Sequence, residues 1–428
     1  MTRLYAVLLL LILSFGTALS ILWFNLGIGD EDLVLALKDL ALFFGVFLVL
    51  ALRLARVGPY DLRPTSADIM LLILISVNVV SFAISPAGLS LRVLNLRRDL
   101  SLFLTFWIFY NIKPSRKTFA LISWCSFGIL AVTGAFGMLE YFMPDYFWDS
   151  IVNIPGYWRS VVIDPFATSS IKDSGRFYSA DFVPLLGHGL RRMVSFYAEP
   201  TTLAAFFVSL FCWSYLGKSW RMRLGIFILG ILTLSKYFVL AVLVAIIIRH
   251  FADRLSQRFI LYSYSVCILL SFVVMAYGVQ SGALNHIRGL LSIYQLVSHK
   301  AVMGFGLGAA GNYAINYSEE NSIGAESGLG NVVAQMGIGG FAYLWVFSRI
   351  YRKLWRGWHD TRQDEYLVGI MMLLTWVISF FLSASSLGLS GNAFVFIYIG
   401  CVLGMSHGRN EEGCDCNIGL RRGVPVVR

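Results

Sequence analysis

Two stretches far apart in the chain gather the residue types that hold phosphate and move protons. One reads Arg191-Arg192-Met193-Val194-Ser195-Phe196-Tyr197-Ala198-Glu199-Pro200. The other, residues 278–330, carries His286, Arg288, the run Gly304-Phe305-Gly306-Leu307-Gly308 and the pair Glu326-Ser327. Arginine's rigid fork of donors matches phosphate oxygens. A carboxylate in a partly desolvated site has its pKa raised toward working pH and can take a proton from an attacking hydroxyl. Arg191, Arg192 and Arg288 are therefore candidates for binding an anionic group, and Glu326, then Glu199, for a general base. Each has a plainer reading. Arg191 and Arg192 could anchor lipid headgroups, Glu326 could cap a helix beginning near Ser327, and Glu199 before Pro200 suits a helix start. His286 is read as loop structure.

These stretches interrupt a chain that is 57% hydrophobic and 14% charged, a composition outside the soluble globular range. Apolar runs recur from end to end, most long enough to cross the hydrocarbon core of a bilayer as helices. Spans are expected near 4–24, 33–52, 68–85, 99–112, 118–141, 201–217, 259–277, 329–347, 366–385 and 392–406. The net charge of +10 raises the possibility of a nucleic-acid partner. Its distribution argues against one. Arg3, 53–68, 111–117, 218–223, 249–258, 349–365 and the tail 407–428 together hold 22 of the 34 Lys and Arg but nine of the 24 Asp and Glu. That bias puts those segments and both termini in the cytoplasm, and leaves 142–199 and 278–328 as two large outward loops.

Between Arg223 and Arg249 lie 25 largely apolar residues with Ser235-Lys236 in the middle. A single crossing would reverse the charge bias downstream. Two short or re-entrant helices meeting near Ser235-Lys236 preserve it, and they put Lys236 against a polar cavity on the outward side. The outward turn 25–32 ends in Asp30-Glu31-Asp32, which reads as a helix cap. Such a cluster in the first outward loop also resembles membrane-embedded glycosyltransferases using lipid-phosphate sugars, a resemblance that implies a base or metal ligand. Arg97-Arg98-Asp99, placed at the start of the fourth span, either meet lipid headgroups or pair among themselves. The loop 142–199 is rich in aromatics, which suit a membrane interface and also stack on sugar rings. Met1–Ser20 has signal-peptide features, but its apolar run continues to Phe24 and it is read as a retained first helix. Cys125, Cys212, Cys267 and Cys401 read as apolar packing residues. Cys414 and Cys416 have no Cys or His partner at metal-site spacing, so no metal is expected.

The order of these pieces resembles the O-antigen ligase/polymerase family of bacterial envelope glycan enzymes. The resemblance covers roughly residues 185–345. It rests on an Arg followed by the Phe196–Pro200 element, the hairpin Leu234-Ser235-Lys236, then Arg288, the Gly304–Gly308 run, and Glu326-Ser327 ahead of Gln335-Met336-Gly337-Ile338-Gly339-Gly340. It implies an all-α, glycosyltransferase-C-like membrane protein of about twelve spans, each with the length that a bilayer demands. Glu326-Ser327-Gly328-Leu329 stands where ligases of the family resemble His-Asn/Ser-x-x-Leu, and Glu there looks more like the polymerases.

The resemblance further implies the reaction. Repeat units carried on undecaprenyl pyrophosphate would be joined into O-antigen or exopolysaccharide at the outer face of a bacterial inner membrane. Arg191, Arg192, Lys236 and Arg288 would hold the departing pyrophosphate, with Glu326 or Glu199 as base. The donor is already activated, and no Gly-x-x-x-x-Gly-Lys phosphate loop occurs, so neither nucleotide nor other cofactor is expected. Partners implied are the lipid-linked donor and acceptor, membrane lipid, a chain-length regulator and a flippase. The alternatives are a ligase transferring glycan to lipid A and a glycolipid transporter or flippase.

Overall fold

A backbone surrounded by hydrocarbon must satisfy its own hydrogen bonds, and the helix does so within one segment. In the computed structural model, which describes residues 2–27, 32–57, 64–161, 175–179, 183–217, 219–277, 302–310 and 327–416, the apolar runs are helices. In chain order they are α1 (Thr2–Leu26), α2 (Asp32–Val57), α3 (Ser66–Ile84), α4 (Leu89–Ile112) and α5 (Arg116–Phe142). Then come α6 (Ile154–Val161), α7 (Val183–Leu186), α8 (Pro200–Trp213), α9 (Trp220–Ile231), α10 (Lys236–His250) and α11 (Phe259–Tyr277). The last four are α12 (Gly328–Met336), α13 (Ala342–Thr361), α14 (Asp364–Leu382) and α15 (Leu389–Cys416). Among the described residues, six helices are long and apolar enough to cross a membrane: α1, α3, α5, the unit Gly328–Thr361, α14 and the part of α15 up to Ser406. The chain is a helical, multi-pass membrane protein.

Two of the expected spans have clearly different bounds. The span expected at 329–347 is broken: α12 stops at Met336, a 3-10 turn covers Gly337–Phe341, and α13 begins at Ala342. Gly337 has φ 59° and ψ −137°, a backbone conformation that essentially only glycine adopts. The span expected at 99–112 starts ten residues earlier, at Leu89, so Arg97, Arg98 and Asp99 sit more than two helical turns inside α4. Hydropathy missed this because the charged residues depress it. The first loop also contains a two-residue antiparallel pair, β1 (Tyr178–Ser179) with β2 (Leu190–Arg191), in an otherwise helical chain.

The 224–249 stretch forms the two helices α9 and α10, joined by a turn at 232–235 in which Leu234 takes φ 48°. The basic segments come together at one end of the bundle. Arg249 pairs with Asp364 at 2.6 Å, Arg362 with Asp253 at 2.7 Å and Arg53 with Asp68 at 2.9 Å. Tyr351 donates to Ser256 O at 2.9 Å, and Lys353 reaches Ser66. The core lies where α4, α8, α13, α14 and α15 meet. There Phe103, Tyr343, Phe347, Trp376, Phe380 and Phe396 interlock, with Phe347 and Trp376 centroids 4.7 Å apart edge to face. Gly400 and Gly404 let α15 lie directly on α4: a Cβ on either would stand 2.7–2.8 Å from a carbonyl of Phe106 or Tyr110.

Candidate functional site

The site is at the end of the bundle opposite that basic network, where short helices start inside the protein and loops seat on their ends. The Arg191–Pro200 segment docks on the α9–α10 turn. Met193 N–H donates to Leu232 O at 2.9 Å, and the Arg192 Nε–H donates to Thr233 O at 3.0 Å. Ser235 caps the start of α10 with extended backbone, and Lys236 is its first residue, exposed. Arg192 and the Lys236 turn, 40 positions apart in sequence, thus form one surface.

Beneath that surface is a layer of paired charges. Arg191 is half-buried. Its Nη1 donates to Tyr141 O at 2.8 Å and Met143 O at 2.7 Å, and its Nη2 to Asp145. Those carbonyls are at the C-terminal end of α5, so Arg191 satisfies acceptors that a helix end leaves open. Arg176 is buried and donates to Glu140 O at 3.0 Å, lies 3.4 Å from Asp145 and packs over the Trp148 ring at 5.3 Å. Burial pushes its guanidinium down to about 10, leaving it charged at neutral pH. The Glu140 carboxylate, also buried, accepts the Val194 and Ser195 backbone N–H groups at 3.2 and 3.3 Å. Two successive backbone N–H groups of the segment are therefore tied to one carboxylate on α5. The 190s segment is held rigidly enough to present Arg192.

Glu199 stands at the start of α8 but makes no capping bond to the backbone. Its two carboxylate oxygens accept instead from the Thr201 hydroxyl and from Thr202 Oγ1 at 2.5 Å. The first turn of α8 touches the first turn of α15: a Cβ on Gly391 would stand 2.1 Å from Thr202 O. The neighbouring Ser390 receives Lys38 Nζ at 3.2 Å, and Lys38 also reaches Thr17 Oγ1 at 3.5 Å. Lys38 is 8% exposed, and Gly16 makes room for its stem. An ammonium buried among neutral hydroxyls is costly to keep. Its neighbour Asp39 pairs with Arg97 at 3.2 Å. Thus the N-termini of two helices and one buried cation share a small region, an arrangement that favours negative charge.

The second motif seats on the break between α12 and α13. Phe305 N–H donates to Ala334 O at 2.9 Å, Gly306 N–H to Gln335 O at 3.0 Å and Ile338 N–H to Val302 O at 3.0 Å. The Gln335 side chain, fully buried, accepts Gly308 N–H at 2.9 Å and donates to Ala310 O at 3.2 Å. Gly304, Gly306 and Gly308 all have φ between 80° and 89°, the left-handed region that this close docking requires. Arg98 pairs with the fully buried Asp99 at 3.1 Å and also reaches the Asn331 amide on α12. Pairing within the protein, rather than contact with lipid headgroups, accounts for Arg97 and Arg98. Ser327, not Glu326, caps α12, accepting Gly330 N–H at 3.1 Å.

Of the expected site residues, the structure brings Arg192 to the Lys236 turn, gives Arg191 to the end of α5 and sets Glu199 on α8. Arg288, Glu326, His286, Asp30 and Glu31 lie outside the described residues. Sequence reasoning missed Glu140, Asp145, Arg176 and Lys38. Lys38 had a signal, a charge pair with Asp39 inside an apolar run. Glu140 and Arg176 had none, since their pairing depends on how the loop folds back. Comparison with known proteins finds no family model that matches the sequence and no curated protein that matches it.

Proposed function

We propose that this protein is a glycan polymerase of a bacterial inner membrane, joining oligosaccharide repeat units carried on undecaprenyl pyrophosphate. In this reading both termini are cytoplasmic, the bundle has about twelve spans in a glycosyltransferase-C-like arrangement, and the loops 142–199 and 278–328 face the periplasm. The observation that carries it is the docking of the Arg192 segment on the α9–α10 turn, which joins two basic elements at the mouth of a re-entrant hairpin. An acceptor hydroxyl attacks the anomeric carbon of the donor glycan. The new glycosidic bond forms as the bond from that carbon to the pyrophosphate oxygen breaks, and the lipid pyrophosphate leaves with its electrons. Arg192, Lys236 and Arg288 stabilise the departing charge. Arg191, whose donors serve α5 and Asp145, contributes mainly by fixing the segment. Glu326 takes the hydroxyl proton, with Glu199 next in line. Lys38 supports a second anion near the α8 and α15 N-termini, as two lipid-linked substrates require.

The test uses purified protein in nanodiscs with lipid-linked repeat units, with and without lipid A. A ladder of lengthening glycan in both arms is expected. Transfer to lipid A alone makes the protein a ligase, and movement of substrate across the bilayer without bond formation makes it a transporter. Ser170→Cys and Ser318→Cys should both react with an impermeant thiol reagent added to the periplasmic side. Protection of either removes the two-loop site.

A further inference from the structure

Behind the Arg192 segment lies a cavity of about 240 Å³ between the ends of α1 and α5 and the first loop. Its walls are mainly apolar, formed by residues such as Ile21, Phe136, Trp148, Ile154 and Phe196. Among the described residues, the charged groups on its wall are Glu140, Arg176 and Arg192. Leu22 and Ile151 line it too, and they are 54% and 61% exposed. Leu22 belongs to α1, so one side of the mouth opens on the flank of a membrane helix rather than on water. A sugar would find few hydrogen-bond partners there, whereas the hydrocarbon of a lipid whose head lies at Arg192 suits these walls. Arg192 is common to this wall and to the α9–α10 turn, which makes the cavity continuous with the pyrophosphate surface.

We propose that this cavity receives the pyrophosphate-proximal isoprene units of the polyprenyl carrier, admitted sideways from the bilayer between α1 and the first loop. The inference rests on the lipid-linked polymerase reading and names where that substrate's hydrocarbon sits. The carrier's first isoprenes would pack against Phe136 and Phe196, whose stacked rings are 4.2 Å apart, with Trp148 across the cavity. The head would then reach Arg192 without leaving the membrane surface.

The test is a binding measurement with no glycan present. Undecaprenyl pyrophosphate and inorganic pyrophosphate are titrated into nanodiscs holding wild-type protein or Ala18→Phe, which fills the cavity from the α1 side. Prenyl binding should weaken at least about tenfold, the loss of a buried hydrophobic group or two, while inorganic pyrophosphate binds unchanged. Ala18→Leu provides a milder filling should Ala18→Phe not fold. A diazirine placed on the first isoprene of the lipid should crosslink wild-type protein at peptides containing Phe136 or Trp148. Unchanged prenyl affinity in a folded filled variant, equal loss of both probes, or crosslinks elsewhere would overturn the proposal. So would equal competition by dipalmitoyl phosphatidic acid, which would make it a site for any acyl chain. Because no glycan is used, Ala18-sensitive prenyl binding can stand even if no polymer forms, and polymer can form even if the cavity proves irrelevant.

Discussion

Two regions of this molecule solve the same problem, a loop seated on the break between two short helices, with opposite chemistry. At the α9–α10 turn the loop is fixed by charges: Glu140, Asp145, Arg176 and Arg191 hold the segment that presents Arg192. At the α12–α13 break it is fixed by glycines and amides: Gly304, Gly306, Gly308 and Gly337 allow close approach, and Gln335 satisfies the exposed backbone. Neutral amides cost less to bury than ions and give directional bonds, which suits a device that only has to hold register. Charges are retained where they can meet a charged ligand. On the proposed function, the glycine-amide region positions Ser327 and the charged region handles the anion.

That division can be broken by substitution, and the effects on stability should descend in order. Gly337→Ala should be the most damaging. Its Cβ would stand 1.9 Å from Val302 O, and the backbone conformation alone costs about 1–3 kcal/mol for a residue with a side chain. Little folded protein should be recovered in detergent by size-exclusion chromatography. Arg176→Met comes next. It leaves the buried Glu140 carboxylate, 4.0 Å away, without its cation, and should cost roughly 3 kcal/mol in a denaturant titration. Gln335→Leu keeps the volume but orphans Gly308 N–H and Ala310 O, for about 2 kcal/mol in the same titration. Arg192→Ala should be the mildest, losing about 1 kcal/mol. For turnover the order inverts: Arg192→Ala should lower the polymerisation rate about 10²-fold or more in protein that is still folded. Should Gln335→Leu lower the rate further than Arg192→Ala at equal folded fraction, the division of labour is wrong.

Much of this was legible in the sequence, for reasons that can be named. Charge bias groups 53–68, 249–258 and 349–365, and their ion pairs gather at one end, because solvated basic loops have little else to do. The break at Ser235-Lys236 is legible because a single crossing contradicts that bias. The break at Gly337 was not legible, because the run around it is apolar enough on average that hydropathy cannot distinguish one long helix from two short ones. Arg97 and Arg98 were read as outward because their partners, Asp39 on another helix and Asn331 some 230 residues on, are matters of packing. Glu199 next to Pro200 was correctly suspected of starting a helix. Its bonds to threonine hydroxyls rather than to the backbone could not be read from spacing.

In the proposed reaction a carboxylate at the outward end of this bundle takes a proton while arginines hold a lipid pyrophosphate. The direct measurement is the polymerisation rate of purified Glu326→Gln and Glu199→Gln proteins on lipid-linked repeat units across pH, beside wild type. Glutamine keeps size and hydrogen-bonding capacity, and Ser327 already caps α12, so no loss of folded protein is expected. The account predicts that Glu326→Gln lowers the rate about 10²–10⁴-fold, while Glu199→Gln changes it far less. Near-normal turnover in both variants, with polymer still forming, would contradict it.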